Sequence, residues 1–225
     1  MYKNRIDTVL TAIFSLIILF CVILITKDII NYKKAGREYD RLKKYISDET
    51  EIMKADNTDE VEAKEETTEE ITDFEKLYEI NQDLVCILSI PSLDLMYPVV
   101  QSTDNVKYLN TTFEGNRNPA GCLFIDYENS RDMTDANTYI YGHNMKNGSM
   151  FGSLKQIIND GSKRNDTKAY ITTGDTEYTY SLEEAEVVNI DEYKPPQDKT
   201  GLLTLYTCWG NDKSRRLLVT FSREV

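Results

Sequence analysis

A mainly β fold is expected for this chain: an eight-stranded β-barrel, closed or nearly closed, with short peripheral helices and one apolar helix ahead of it. Three observations lead there. Thr8 to Thr26 is a stretch of nineteen residues without a charge. From Leu77 onward, short runs rich in Val, Ile, Tyr and Thr alternate with Gly, Asn, Asp and Pro, the pattern of strands and turns. About 150 residues remain for about eight such runs, and closing the sheet is what leaves no strand edge unpaired.

Residues 1–7 are a short polar start carrying Lys3 and Arg5. Residues 8–26 (TVLTAIFSLIILFCVILIT) make about 28 Å of helix, close to a bilayer core, and are read as a membrane-spanning signal anchor. A cleaved signal peptide is the main alternative, but its apolar region is shorter and ends at small residues, whereas Lys27, Asp28, Ile29 and Ile30 follow here. A buried core helix is the other alternative. Residues 27–75 join span to barrel. Within them, 31–47 suits a basic amphipathic helix, and 48–75 is rich in Glu and Thr. The second stretch has too few apolar residues to offset chain entropy, so a solvated, disordered or loosely helical spacer is expected there rather than an acidic docking site.

The barrel domain is assigned to residues 76–225. Strands are expected at 85–90, 96–101, 121–126, 138–141, 168–173, 178–189, 202–207 and 216–221. Short helices are expected at 106–109 and at 152–158, the second after the turn-forming pair Asn147 and Gly148. There is no internal repeat.

The chain has 225 residues, with 26 Lys plus Arg against 38 Asp plus Glu, a net charge of −12. That balance argues against a nucleic-acid partner, because phosphate affinity needs a basic face. Residues 1–47 carry +5, 48–75 carry −11 and 76–225 carry −6, so the acidity is concentrated in the spacer. Basic residues flank the apolar stretch on both sides, with Lys27, Lys33, Lys34 and Arg37 following it, and the positive-inside count taken literally puts the C-terminal side in the cytoplasm.

One histidine, His143, excludes two-histidine zinc sites, and no Gly-rich phosphate loop is present; no metal and no cofactor are expected. The four cysteines, Cys21, Cys86, Cys122 and Cys208, contain no C-x-x-C pair and are too few for a disulfide scaffold.

Chemistry concentrates at two strand ends. In TYIYGHNM an apolar run breaks at Gly142 and delivers His143 to a loop; in LLTLYTC a β-rich run ends on Cys208 before the polar turn at Gly210 to Asp212. Eight positions after Cys208, Arg216 opens the last apolar run. Each residue alone has an ordinary structural explanation. Together they supply a nucleophile, a proton carrier and a fixed positive charge, the needs of acyl transfer through a thioester. An ordinary thiol and imidazole, with pKa values of about 8.5 and about 6.5, form thiolate plus imidazolium in only about one percent of molecules near pH 7.5, so such a site is slow unless its surroundings shift those values. Spacing assigns no Asp or Asn to orient His143, so a papain-like triad is not supported.

YGHNM at 141–145, TLYTC at 204–208 and Arg216 on the following strand resemble the signature of sortases. YPVVQ at 97–101, Asn105 with KYLN at 107–110, GCLFIDYEN at 121–129 and the pair Met150 and Phe151 look most like class B sortases, and the resemblance runs over about residues 77–225. It implies a sortase-type barrel outside the membrane of a Gram-positive bacterium. Such enzymes cleave a sorting signal of secreted surface proteins after its Thr. They pass the thioacyl product to an amine acceptor, such as a peptidoglycan cross-bridge or lipid II, for cell-wall anchoring. By position His143, Cys208 and Arg216 match the catalytic three; Arg216 is preferred to Arg215 by its spacing from the cysteine, and strand alternation puts the two arginines on opposite faces. Asn105, Leu109, Tyr206 and Thr207 match or adjoin positions that line the substrate groove. The resemblance also implies an extracellular catalytic domain held to the cell membrane by a single pass, with residues 1–7 inside, against the literal charge count. Cys86 and Cys122 then either pair or stay buried as thiols, with buried thiols expected.

The chain departs from the class B pattern at 190–201 (IDEYKPPQDKTG), where those enzymes carry a longer, helix-containing connection. Tyr206 also stands where a smaller residue is familiar. Two rivals therefore accompany the transpeptidase reading: a membrane-anchored cysteine protease that releases its acyl group only to water, and a non-catalytic sortase-like peptide-binding module.

Overall fold

The structure, a computed structural model, describes residues 2–55, 73–164, 167–174, 176–196, 199–210, 212 and 214–224. Eight strands close into a barrel: β1 (Leu84–Ile90), β2 (Leu95–Val100), β3 (Leu123–Ile125), β4 (Asn137–Tyr141), β5 (Lys168–Thr172), β6 (Glu177–Asn189), β7 (Leu202–Cys208) and β8 (Arg215–Arg223). Around the barrel they run in the order β1, β2, β3, β4, β7, β8, β6, β5, and β5 returns to β1. The neighbours β2 with β3 and β4 with β7 are parallel, the rest antiparallel.

All eight expected strands are present. Most ends agree within two residues, because alternating burial sets them: β4 reads half-buried, buried, half-buried, buried, half-buried from Asn137 to Tyr141. The third strand is shorter than 121–126. Gly121 takes a left-handed φ of +61°, and the N–H of Cys122 goes to the Tyr108 carbonyl (3.0 Å), so pairing with neighbouring strands begins only at Leu123. A 3-10 turn at Lys107–Leu109 falls where 106–109 is expected. A 3-10 turn at Phe151–Ser153 and the helix at Lys155–Asn159 together cover 152–158.

The first helix, α1, runs from Tyr2 to Ala55. Its apolar part is long enough to cross a membrane, and the best 18-residue window has a mean hydropathy of 2.6 and no buried residue. Beyond this apolar part the helix behaves differently. Ala35, Tyr39, Leu42 and Ile46, spaced four, three and four apart, form one buried stripe continuous with the barrel core. The basic amphipathic helix expected at 31–47 is therefore docked on the barrel. Buried Glu38 accepts hydrogen bonds from Thr112 Oγ1 (2.9 Å), the Glu114 N–H (3.0 Å) and Asn116 Nδ2 (3.3 Å). Arg41 pairs with Glu114 and Lys43 with Asp94 at the rim. Asn118 Nδ2 donates to the Asn31 carbonyl (2.9 Å).

A second helix, α2 (Asp73–Ile80), was not expected. Its acidic start reads as spacer, yet it buries Leu77 fully and packs Phe74 against the core. Most of the expected acidic spacer, residues 56–72, lies outside the described residues. Cys86 and Cys122 are buried free thiols, as expected, and burial pushes each up to about 12.

Candidate active site

The Cys208 half of the site is a product of strand register. The ladder between β7 and β8 pairs Leu202 with Ser222 at one end and Cys208 with Arg216 at the other. Directly opposed residues have Cβ atoms about 4.5–5.5 Å apart, so the thiol and the guanidinium stem are neighbours on one face. Cys208 is exposed, at the open end of an otherwise buried strand. Arg216 is half-buried; its guanidinium lies over the Tyr206 ring at 5.8 Å and donates from Nη1 to the Arg215 carbonyl (3.0 Å). Arg215 is exposed and pairs with Asn189. Of the two arginines, Arg216 is thus the one beside Cys208, as strand alternation anticipates.

The histidine half lies two residues past β4. Tyr141 is in register with Tyr206 on the parallel strand β7, and from there three ties hold the following loop to the end of that strand. The Gly142 N–H goes to the Tyr206 carbonyl (3.2 Å), Thr207 Oγ1 donates to the Gly142 carbonyl (2.6 Å), and Asn144 Nδ2 donates to the Cys208 carbonyl (2.8 Å). Gly142 is required there: a Cβ would overlap the Leu123 and Phe151 side chains. His143 itself is half-buried, with Nε2 2.8 Å from the Leu109 carbonyl. A carbonyl oxygen only accepts, so Nε2 carries hydrogen in this contact and Nδ1 is left as the ring nitrogen outside it. The orienting partner that sequence spacing did not find is therefore a main-chain carbonyl.

The other expected groove residues divide. Leu109 and Tyr206 are half-buried near His143 and Arg216, and Tyr206 packs edge-on against Tyr141 at 4.9 Å. Tyr141 stacks on Phe124 and donates from its hydroxyl to Asp126 Oδ2 (2.7 Å); burial, then this carboxylate, push the phenol up, so it stays a proton donor. Asn105 accepts the Tyr127 N–H through Oδ1 (3.1 Å), which spends its carbonyl on the loop after β3 and leaves its amide for other partners. Thr207 is buried and turned away from the face shared by Tyr206 and Cys208, and its hydroxyl serves Gly142. Through that bond it supports the histidine loop. Among the described residues of the connection between β6 and β7 there is no helix. No group of three His, Cys, Asp or Glu side chains is placed to hold a metal among the described residues.

Comparison with known proteins bears on the fold and the family. The Sortase domain family matches residues 88–224. Sortase B of Listeria monocytogenes is 42% identical over 93 residues, 41% of this chain and 37% of that protein, so the match spans little more than a third of the curated relative. Sortase B of Bacillus anthracis superposes with a TM-score of 0.64 at 25% identity, over 86% of this chain and 98% of that one. A substrate complex of Staphylococcus aureus sortase B superposes with a TM-score of 0.68 at 19% identity, over 87% and 98%, a likeness of fold.

Proposed function

Because the chain belongs to the sortase family, we propose that it is a membrane-anchored cysteine transpeptidase of class B type. It cleaves a C-terminal sorting signal of secreted proteins and transfers the product to an amine of the cell wall. The observation that carries this reading is the convergence of three groups on one strand end: Cys208 paired across the ladder with Arg216, and the His143 loop tied by Asn144 to the Cys208 carbonyl.

In the first step the Cys208 thiolate attacks the scissile carbonyl carbon. The Arg216 guanidinium, a planar fork of donors, stabilises the oxygen as it gains negative charge. The C–N bond then breaks. Imidazolium His143 gives its Nδ1 proton to the departing amine, leaving a thioester on Cys208. In the second step an acceptor amine attacks the thioester, neutral His143 takes up the proton the amine sheds, and Cys208 leaves as thiolate. Thiolate and imidazolium are both restored. The Leu109 carbonyl keeps the ring fixed and stabilises its charged form in both steps.

The N-terminal half of α1 serves as the membrane anchor, with residues 1–7 inside and the barrel outside, the side on which secreted substrates and cell-wall amines are found. Proteolysis of intact cells tests this: loss of the barrel is expected, and protection reverses the topology. The reaction class is tested by incubating the chain with a panel of sorting-signal peptides and an added amine, with mass detection of enzyme and product. A thioacyl adduct on Cys208 and an amide product are expected. An acid as the sole product makes the protein a hydrolase, and no adduct with any peptide favours a binding module.

A further inference from the structure

Two chains of contacts lead from the docked part of α1 to the active site, and both begin at Tyr39. This tyrosine is buried in the stripe that meets the barrel, and its hydroxyl donates to the Gly121 carbonyl at 2.6 Å. Gly121 adopts a φ of +61° and sits so close to the carbonyls of Tyr108 and Leu109 that a Cβ would overlap both. Gly121 and the Leu109 carbonyl therefore have no slack between them, and that carbonyl holds His143 Nε2 at 2.8 Å. The second chain starts at the ring: Tyr39 meets Tyr97 edge-on at 5.2 Å, and the Tyr97 hydroxyl accepts the Met150 N–H at 3.0 Å. Met150 has φ 52° and ψ −126°, which a residue with a side chain holds only when its surroundings impose it. It bridges to Asn144, the residue after His143, whose side chain reaches the Cys208 carbonyl.

We infer that Tyr39 is a positioning residue for His143, so that the helix leaving the membrane is part of the catalytic unit and not only its tether. This rests on the reading of His143 as proton carrier. The phenol supplies a hydrogen bond to a buried carbonyl and fills the space behind the Gly121 turn. Without it that carbonyl has lost its donor, the turn relaxes toward the vacated space, and the Leu109 oxygen moves with it. A displacement well under 1 Å is enough, because proton transfer depends steeply on the orientation of the ring.

The single histidine makes the test direct. In the full-length chain in detergent or nanodiscs, labelling histidine with nitrogen-15 gives ring signals from His143 alone. Tyr39→Phe removes one oxygen and keeps the ring. The expected results are a moved Nε2–H signal, a roughly 10-fold lower kcat with KM within about twofold, and a displaced pH–rate profile. Leu42→Ala, in the same stripe but without a polar contact to the turn, is the comparison; it should lower the melting temperature at least as much and leave the ring signals in place. The inference is overturned by unchanged His143 signals and kcat in Tyr39→Phe, or by losses in kcat that follow melting temperature equally in both variants. A separate variant, His143→Gln, probes the underlying reading: retained turnover there removes His143 from the chemistry, while the effect of Tyr39→Phe on the ring signals still reports the coupling.

Discussion

Cys208 and Arg216 face each other because two adjacent strands run in register, whereas His143 is held by a carbonyl 34 residues away with a helix packed behind it. The first half of the site depends on the ladder between β7 and β8. The second depends on a loop whose geometry is assembled from several distant segments. The two halves should therefore respond differently to change, with the nucleophile half failing by loss of chemistry and the histidine half by loss of alignment.

The largest effect belongs to the proposed nucleophile. Cys208→Ala should abolish turnover and adduct formation while leaving the melting temperature near that of the parent, since the side chain is exposed at a strand end; retained cleavage discards the proposed nucleophile. Next comes Arg216→Lys, which keeps the charge and loses the planar fork. A fall in kcat of about 100-fold is expected with the strand pairing intact, and parent-like activity would take Arg216 out of the mechanism.

On the histidine side, Gly142→Ala forces a methyl into the Leu123 and Phe151 side chains. It should cost about 1–3 kcal/mol in denaturant titrations and depress kcat together with stability, in contrast to Cys208→Ala. A denaturation midpoint unchanged from the parent means that the loop moves freely and is not held as described.

Thiol reactivity gives a smaller contrast within the barrel. Burial pushes Cys86 and Cys122 up to about 12, so at pH 8 both remain thiols shielded from solvent while Cys208 is exposed. Alkylation followed by peptide mass mapping should modify Cys208 and spare the other two until denaturant is added. Early labelling of Cys122, next to Gly121, would show that the turn behind Leu109 opens in the native state.

The smallest effect is at the far side of the 3-10 turn that carries Leu109. Burial acts against ionised Asp83, but the donors Lys107 (2.5 Å) and Tyr108 (2.7 Å) prevail and hold its carboxyl below the usual carboxylate range. A lowered folded-state pKa contributes stability at pH above the unfolded value, about 3.9, and loses it as pH falls through the folded one. The pair is partly exposed, so screening keeps the contribution under about 1 kcal/mol. Asp83→Asn should be slightly less stable than the parent at pH 7 and should converge on it as pH falls below the usual carboxylate range, measured by thermal melts. Parallel melting curves across that range would mean that the carboxylate contributes nothing.

Local pattern made much of this molecule legible. Alternation and turn residues marked all eight strands, and a break after an apolar run marked both His143 and Cys208, because strand periodicity and the ends of strands are written within a few neighbouring residues. Arg216 was readable for the same reason: facing strands in register turn a spacing of eight into a contact. What stayed hidden was everything whose partner is distant or carries no side-chain signature. The Leu109 carbonyl is backbone and looks like any other carbonyl in the chain. The tie from the Thr207 hydroxyl to the Gly142 carbonyl joins residues 65 apart in the chain. Residues 31–47 showed an amphipathic face, and only the packed barrel, with Glu38 reaching residues 112–116 and Tyr39 reaching Gly121, determined that this face is a docking surface behind the active site. Periodicity tells a helix which side must be covered; the surface that covers it exists only after strands far apart in the chain have closed.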